Sequence, residues 1–196
     1  MQALPSGIGW IEVVCGPMFS GKTEELIRRL RRAVYAKQRV QIFKPEVDAR
    51  YDAVDIVSHS SQRLQAHPIN DAEDIIGLLH DDTEVVGIDE AQFFERNLVD
   101  VCQTLAGQAR RIVVAGLDQD YRGVPFEPIP ELLGVAEFVT KSLAICVVCG
   151  NPAGRSQRLL REQGRVMLGA GDAYEPRCRA CHSLEEPIVE QPRLFR

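Results

Sequence analysis

The sequence predicts an α/β fold in which helices flank a parallel sheet, because apolar segments of strand length alternate with segments of helical periodicity. Residues 16–23 read Gly-Pro-Met-Phe-Ser-Gly-Lys-Thr and fit Gly-x-x-x-x-Gly-Lys-[Ser/Thr], the pattern of a phosphate-binding P-loop. From about Ser142 the composition shifts to Cys, Gly, Arg and Pro. We therefore expect a RecA-like P-loop domain over residues 1–141 and a small domain with a C-terminal tail over residues 142–196.

The first elements surround the P-loop. An apolar run at Trp10–Cys15 predicts the strand that leads into it. Thr23–Lys37 predicts the helix that leads out, because its apolar residues recur every three to four positions. A second strand is predicted at Arg39–Lys44, and Pro45 is expected to end it. This order is that of a strand–P-loop–helix unit followed by the next strand of the sheet.

The later elements continue the alternation. Polar residues at 46–62 predict a loop or hairpin, and residues 117–130, rich in Gly, Pro and aromatics, predict a loop at a strand's carboxyl end, where α/β sheets bind ligands. A helix at Asp71–Leu79, capped by Asn70 or Asp71, is expected to turn four residues inward: Ile75, Ile76, Leu78 and Leu79. The other predicted strands are Glu84–Ile88, Arg111–Ala115 and Glu137–Thr140, and the other predicted helices are Phe94–Ala106 and Glu131–Gly134.

The residue types of the P-loop suit the binding of a nucleotide. Glycines allow a tight turn, so that several backbone N–H groups converge on one anion. Lys22 is expected to supply a cation to the β- and γ-phosphates, and the Thr23 hydroxyl to be a ligand of Mg²⁺. The helix that follows directs its positive end at the phosphates. The residues expected to hold the triphosphate are Gly16, Pro17, Met18, Phe19, Ser20, Gly21, Lys22 and Thr23.

A second motif follows the apolar strand Val85–Ile88. It places Asp89 and Glu90 at the strand's end, where the Mg²⁺-holding carboxylate of a P-loop protein stands. Asp89 is expected to hold the ion directly or through water, and Glu90 to act as general base near the γ-phosphate. The alternative is a solvated acidic turn, which the demand of a P-loop for a metal carboxylate disfavours.

The third motif consists of two Cys-x-x-Cys pairs, Cys146/Cys149 and Cys178/Cys181. Four thiolates suit a tetrahedral Zn²⁺ site, which would staple both ends of a long loop, residues 150–177, here called the lasso. His182 is an alternative fourth ligand, and four unlinked thiols are the alternative to a metal site. Two further cysteines lie on predicted core elements and are expected to be inert: Cys15 and Cys102.

Composition excludes some classes of protein. The chain of 196 residues has a formal net charge of −5, which argues against a protein that coats nucleic acid. It contains no run of eighteen apolar residues, and its first seven residues lack the pattern of a signal peptide. We therefore expect a cytoplasmic protein with no membrane segment.

Taken together, four motifs resemble one family, the thymidine kinases of the cytosolic, zinc-containing type. They are the P-loop at 16–23, Ile-Asp-Glu-Ala-Gln-Phe-Phe at 88–94, Gly-Leu-Asp-Gln-Asp-Tyr-Arg-Gly-Val-Pro-Phe at 116–126 and Tyr-Glu-Pro-Arg-Cys-Arg-Ala-Cys-His at 174–182. The likeness extends from about Ile11 to His182. It implies transfer of the ATP γ-phosphate, with Mg²⁺, to the 5′-hydroxyl of thymidine or deoxyuridine. It also implies a homotetramer that thymidine triphosphate inhibits, with no nucleic-acid partner.

The resemblance also implies roles for single residues. Glu90 is the proton acceptor, and the four cysteines are ligands of structural Zn²⁺. Residues that assist the P-loop with ATP are Asp48, Ala49, Arg50, Asp89, Glu90, Ala91 and Gln92. Residues that contact the nucleoside are Met18 and Leu117 near the thymine methyl, with Tyr121, Arg165, Val166, Met167, Leu168, Gly169 and Tyr174. Two positions depart from the family: relatives often have Phe at 121 and Thr at 49, and residues 184–196 fall outside the match.

Two other functions fit parts of the sequence. Asp89-Glu90-Ala91-Gln92 also resembles motif II of RNA helicases, but such motors need two cores and this chain holds one P-loop. A zinc module that binds nucleic acid is the second, suggested by a basic run in the lasso: Arg155, Arg158, Arg161 and Arg165. A solvated or phosphate-facing surface explains that run more simply.

Overall fold

A computed structural model describes residues 7–47, 55–57, 63–159 and 173–184. Along this part of the chain the elements are β1 (Trp10–Gly16), α1 (Lys22–Tyr35), β2 (Val40–Pro45), β3 (Asp55–Val57), β4 (Arg63–Gln65), β5 (His67–Ile69), α2 (Asp74–Leu78), β6 (Val85–Ile88), a 3-10 turn (Ala91–Phe93), α3 (Asn97–Gly107), β7 (Arg111–Leu117), α4 (Ile129–Val135), β8 (Phe138–Lys141), β9 (Ala144–Ile145), β10 (Pro152–Ala153), β11 (Arg155–Arg158) and β12 (Tyr174–Arg177).

Six strands form one parallel sheet in the order β5-β2-β6-β7-β1-β8. The three central strands, β6, β7 and β1, are buried along almost their whole length. This is the pattern of a sheet covered on both faces, so the predicted α/β class is confirmed. Because the strands are parallel, the residues that follow β1, β6 and β7 meet at one edge of the sheet.

Helices cover the two faces of the sheet. On one face α1 buries Leu26, Ile27, Leu30 and Ala33 against the strands. It packs so closely that a Cβ at Gly87 of β6 would lie 2.6 Å from the Leu30 side chain. On the other face α3 and α4 complete a larger apolar cluster. Burial of each of these Leu and Ile side chains contributes about 1.5–3 kcal/mol, so the contacts hold α1 firmly against the sheet.

A charged network fastens α1 to the middle of the sheet. The Glu12 carboxylate on β1 receives Arg29 of α1 at 2.8 Å and Arg111 of β7 at 2.7 Å. Burial by itself would raise the pKa of Glu12, but the hydrogen bonds from Arg111 and Trp10 and the two guanidinium charges outweigh it, and this pKa lies below its usual value. Glu12 is therefore an anion whose partners hold the helix that follows the P-loop.

One predicted helix is largely wrong. Asp71–Leu79 was expected to be helical, but α2 is only Asp74–Leu78, with Ile75 buried and with Ile76 and Leu78 each 48% exposed. The Asp71 carboxylate accepts the Glu73 N–H at 2.8 Å and so stabilises a turn ahead of the helix. Five residues make little more than one helical turn. Such a short helix buries a single residue, Ile75, rather than a row of apolar residues along one face.

The other elements differ from expectation in smaller ways. Strand β5 was not predicted; it is three residues long, contains Pro68 and pairs only at the sheet edge. Helix α3 begins at Asn97 rather than Phe94, because residues 91–93 form the 3-10 turn. Strands β3 and β4 pair antiparallel, which agrees with the hairpin offered as one alternative for residues 46–62. Among the described residues no helix has the length and apolar character needed to cross a bilayer.

After β8 the chain forms two small antiparallel sheets, β9 with β10 and β11 with β12. A small apolar cluster of Ala144, Cys146, Ala153 and Cys178 lies here, and Phe19 of the P-loop packs against it. The division of the chain into domains at residue 142 stays a prediction.

Candidate active site

The P-loop joins β1 to α1 at the carboxyl edge of the sheet. Gly16 has φ 149°, and a Cβ there would lie 2.2 Å from the Ser142 carbonyl oxygen. Gly21 has φ 76° and is the N-cap residue of α1. Both positions therefore exclude ordinary side chains, as the glycines of the motif predict. Phe19 also has positive φ, 64°, within the same turn.

The P-loop is held by its own carbonyl groups and by β11. Lys22 Nζ donates to the Pro17 carbonyl at 2.7 Å, and Ser20 Oγ donates to the same oxygen at 2.8 Å. The Met18 N–H donates to Ser156 Oγ at 3.0 Å. The lysine ammonium thus lies within the turn, where the motif requires a cation for phosphate oxygens.

The acidic pair follows β6 at the same edge. Asp89 is 5% exposed, and its Oδ1 accepts the Glu90 N–H at 2.9 Å. Glu90 adopts a left-handed backbone, φ 51° and ψ 42°, which is unfavourable for a residue other than Gly. Left-handed residues of this kind concentrate at functional sites. The two adjacent carboxylates have different partners, the Glu90 N–H for Asp89 and the Gln92 amide for Glu90.

Gln92 connects Glu90 to the end of β7. Its side-chain nitrogen donates to the Glu90 carboxylate, and its Oε1 accepts the Leu117 N–H at 2.9 Å. Gln92 is 6% exposed, and its bond to Leu117 is buried, whereas its bond to Glu90 is only partly buried. The resemblance suggested a contact of Gln92 with ATP, which stays a prediction. The bond between Gln92 and Leu117 was not visible in the sequence, because the two residues lie 25 positions apart.

The four cysteines of the two Cys-x-x-Cys pairs come together. Their sulfur atoms all lie within 4.8 Å of one another. Ligands at about 2.3 Å from one tetrahedral Zn²⁺ are separated by roughly 3.8 Å, so the cluster fits a metal of this kind. Cys149 Sγ and Cys178 Sγ are already 3.6 Å apart. The cluster can hold a metal ion, whereas the His182 ring, the alternative ligand, lies against the Tyr121 carbonyl at 2.8 Å.

The surroundings favour the thiolate at two of these cysteines, Cys146 and Cys178, whereas hydrogen bonds with Cys149 and Cys178 raise the pKa of Cys181 to about 12. Burial raises the pKa of Cys146, but backbone N–H groups of Cys178, Cys149 and Val148 outweigh it and lower this pKa to about 6. The Cys181 N–H lowers the pKa of Cys178. Thiolates are the form that binds metal.

The two remaining cysteines are core residues, as predicted. Burial raises the pKa of Cys102 to about 12 and also raises that of Cys15. Neither thiol is exposed to solvent.

Aromatic residues gather around one buried arginine. The Arg158 guanidinium lies 3.9 Å from the ring centroid of Tyr121, and its Nη2 donates to the Tyr174 hydroxyl at 2.9 Å. Arg158 is 5% exposed, so the expectation of a solvated basic run is wrong at this position. A cation sandwiched by aromatic rings is favourable when water is excluded. The sequence shows the arginine but not its burial.

The remaining predicted residues divide into two groups. Met18 packs against the apolar cluster to which Leu117 belongs, so both expected nucleoside contacts border the same core cluster. Thr23 lies in the first turn of α1, and Ala91 opens the buried 3-10 turn. Several other predicted site residues lie outside the described part of the chain: Asp48, Ala49, Arg50, Arg165, Val166, Met167, Leu168 and Gly169.

Comparison with known proteins gives a consistent result. The protein-family model for thymidine kinase matches residues 9–182. A thymidine kinase of Rhodothermus sp. (strain ITI 518) is 61% identical over 92% of this chain and 84% of its own length. One from Bdellovibrio bacteriovorus is 54% identical over 95% of this chain and 90% of its own length. Among solved structures, domain III of Thermotoga maritima DnaA has a TM-score of only 0.42 at 16% identity, over 67% of this chain and 54% of its own, and supports no argument.

Proposed function

Since the chain belongs to the thymidine kinase family, we propose that it transfers the γ-phosphate of ATP to the 5′-hydroxyl of thymidine, or of deoxyuridine, to give the nucleoside monophosphate for DNA synthesis. The observation that carries this proposal is that the P-loop and the Asp89-Glu90 turn lie at the same edge of the sheet. They follow β1 and β6, two strands separated only by β7. A phosphate donor and a proton acceptor for its attacker are thereby available at one edge of the sheet.

At the phosphate end, the P-loop amides and Lys22 bind and orient the triphosphate. Thr23 and Asp89 offer the hard oxygen ligands that Mg²⁺ prefers and are proposed to hold this ion, which would neutralise charge on the phosphates. Asp48, Ala49 and Arg50 are proposed to assist the P-loop in holding the triphosphate. Phosphoryl transfer depends mostly on positioning and charge neutralisation, so these residues supply most of the rate enhancement.

At the acceptor end, Glu90 accepts the proton of the nucleoside 5′-hydroxyl. Its carboxylate is directed by the left-handed turn and by the hydrogen bond from Gln92. In a loose transition state the attacking oxygen needs a proton acceptor only late in the reaction. A correctly placed carboxylate is therefore sufficient.

The nucleoside is proposed to lie under the lasso. Its base would contact Tyr121, Tyr174 and residues 165–169, with Met18 and Leu117 at the thymine methyl. Supporting this, β11 is hydrogen-bonded to the P-loop, and Arg158 joins both tyrosines. A lasso ordered over the base excludes water and so limits futile ATP hydrolysis.

We further propose that the metal of the cysteine cluster is Zn²⁺, which the four-thiolate donor set favours. Free cysteines suit a reducing compartment, so the cytoplasm is the proposed location. A homotetramer inhibited by thymidine triphosphate is also proposed. Apolar side chains left exposed around β8 and β9 support an assembly: Phe138, Val139, Leu143, Ile145 and Val148.

One assay tests the proposed function. The purified chain is incubated with labelled ATP, Mg²⁺ and each nucleoside in turn, and the products are separated. Labelled thymidine 5′-monophosphate is expected, with deoxyuridine as a second acceptor. ATP hydrolysis that is stimulated by nucleic acid, without transfer to any nucleoside, would instead indicate a helicase-like motor. Tight DNA binding without ATP turnover would indicate a zinc module that binds nucleic acid.

A further inference from the structure

A buried carboxylate lies at the base of the P-loop and has no role in the reaction proposed above. Asp118 directly follows β7, and its preceding residue Leu117 is paired with Gly16 in the sheet register. Asp118 is 5% exposed. Neither of its carboxylate oxygens receives a hydrogen bond from the described residues. An anion buried beside a triphosphate-binding turn is unfavourable unless another charge compensates for it.

The compensating charge comes from the opposite side of β1. Lys141 ends β8 and is paired with Cys15 in the sheet register. The Lys141 Nζ lies 2.7 Å from Asp118 Oδ2, so the two residues form an ion pair. The angles between them do not meet those of a hydrogen bond. Strands β7 and β8 flank β1 on its two sides, so the ion pair crosses the last residues of β1 just before the P-loop begins.

Two further contacts join this region to the P-loop. The Ser142 N–H donates to the Cys15 carbonyl at 2.8 Å, and the Ser142 carbonyl is the group that a Cβ at Gly16 would strike. Burial raises the pKa of the Cys15 thiol and Asp118 raises it further, whereas Lys141 and Lys22 lower it. Asp118, Lys141 and the P-loop lysine therefore act on the same buried sulfur atom.

We propose that Lys141 is a positioning residue of the nucleotide site, whose ammonium cancels the Asp118 carboxylate so that the P-loop presents a net positive charge to the triphosphate. Lys141 acts through Asp118 and touches no substrate. Without the ammonium, a buried negative charge would face the phosphates across the last residues of β1. The proposal rests on the proposed use of ATP, and it concerns binding of the triphosphate rather than the transfer step.

A charge cycle tests this role. Calorimetry measures the Kd of the β,γ-imido analogue of ATP with Mg²⁺ for the full chain and its variants. Lys141→Met is expected to raise the Kd about tenfold or more, because the carboxylate is left uncompensated. Asp118→Asn is expected to stay within about threefold of wild type. The double variant should return to within about threefold as well, since neither charge is then present.

Two results would overturn the proposal. A double variant as weak as Lys141→Met would mean that Lys141 contacts the phosphates as a cation in its own right. An unchanged Kd in Lys141→Met would mean that the pair has no influence on the nucleotide. A purely structural role predicts lower thermal stability and lower kcat in Lys141→Met, whereas the proposal predicts a higher KM for ATP with kcat retained at saturation.

Controls keep the experiment decisive. Lys141→Arg retains the charge and should retain the affinity. If Lys141→Met does not fold, Asp118→Asn alone still tests the idea, because a loss of affinity beyond threefold would contradict it. Wild-type protein is assayed for thymidine phosphorylation in parallel. Nucleotide binding without thymidine phosphorylation would refute the proposed function and leave the charge cycle interpretable.

Discussion

The side-chain amide of Gln92 donates a hydrogen bond to the carboxylate of Glu90, two residues earlier in the chain. The same amide accepts the Leu117 N–H, so the turn after β6 is tied to the end of β7. Glu90 is thus oriented by a neighbour that is itself fixed to the sheet. If Glu90 is the base, as proposed, a carboxylate held in this way does not have to be ordered when the substrate arrives.

The Gln92→Leu variant keeps Glu90, the proposed base, but removes the side chain that orients it. We expect kcat to fall on the order of tenfold, because Glu90 loses its partner. Stability should fall by about 1–3 kcal/mol, because the buried Leu117 N–H is left unpaired. The matched control is Gln41→Leu, which also removes a buried amide bridging backbone groups, but at Leu78 and His80 rather than at Leu117. Equal losses of kcat in both variants would contradict the orienting role.

Glu90→Gln tests the base itself. The substitution keeps the size and shape of the side chain but removes its ability to accept a proton. Thymidine binding, measured by calorimetry, should be retained, while kcat falls on the order of a hundredfold or more. Near-normal turnover in this variant would exclude Glu90 as the proton acceptor.

Ser156→Ala tests the bond between β11 and the P-loop. The Met18 N–H would lose its acceptor, so we expect a loss of about 1 kcal/mol and a melting temperature lower by roughly 2–4 °C. The KM values for ATP and thymidine should rise together, because Met18 belongs to the P-loop and also lies near the proposed nucleoside site. Ser156→Thr retains the hydroxyl and should restore most of both properties. A rise in only one KM would show that the bond does not link the two sites.

Elemental analysis tests the cysteine cluster. Wild-type protein prepared in buffers free of added metal should contain one Zn²⁺ per chain. The Cys178→Ser variant should lose the metal along with much of the stability. Cys102→Ala is the control, because it removes a buried thiol of the core and should leave the metal content unchanged. Protein that contains no metal yet stays folded and active would disprove the proposed role of the cluster.

Glu25 should make part of the stability depend on pH. The hydrogen bond from Arg28, reinforced by Arg29, lowers the pKa of Glu25 to about 2. A lowered folded-state pKa adds stability above the unfolded value of 4.5, and this contribution is lost as the pH falls towards 2. Because the pair is partly exposed, we expect on the order of 1 kcal/mol rather than the full linkage value.

Urea unfolding of Glu25→Gln measures this contribution. The variant should be less stable than wild type at pH 7, and the difference should shrink between pH 4.5 and pH 2. Glu24→Gln, on the same turn of α1, is the comparison and should show a smaller difference at pH 7. A difference that stays constant down to pH 2 would exclude ionisation of Glu25 as its cause.

Much of the fold could be predicted from local pattern. The central strands are apolar along their length, and α1 has a clear helical period, so both were predicted to within a few residues. Two short elements, β5 at the edge of the sheet and α2, were not predicted correctly. Strand β5 contains a proline, and α2 is too short to display a period, so their conformations depend on the neighbours they pack against.

The sequence was enough to predict the P-loop turn, the acidic pair at the end of β6 and the cysteine cluster, because each is a pattern of residue types at short spacings. It could not reveal which distant groups support them. Met18 and Ser156 are 138 positions apart, and Asp118 meets Lys141 only because β7 and β8 lie on either side of β1. Burial of Arg158 between two tyrosines is likewise decided by packing. Such contacts arise from how strands are ordered and loops folded together, and no periodicity along the chain encodes them.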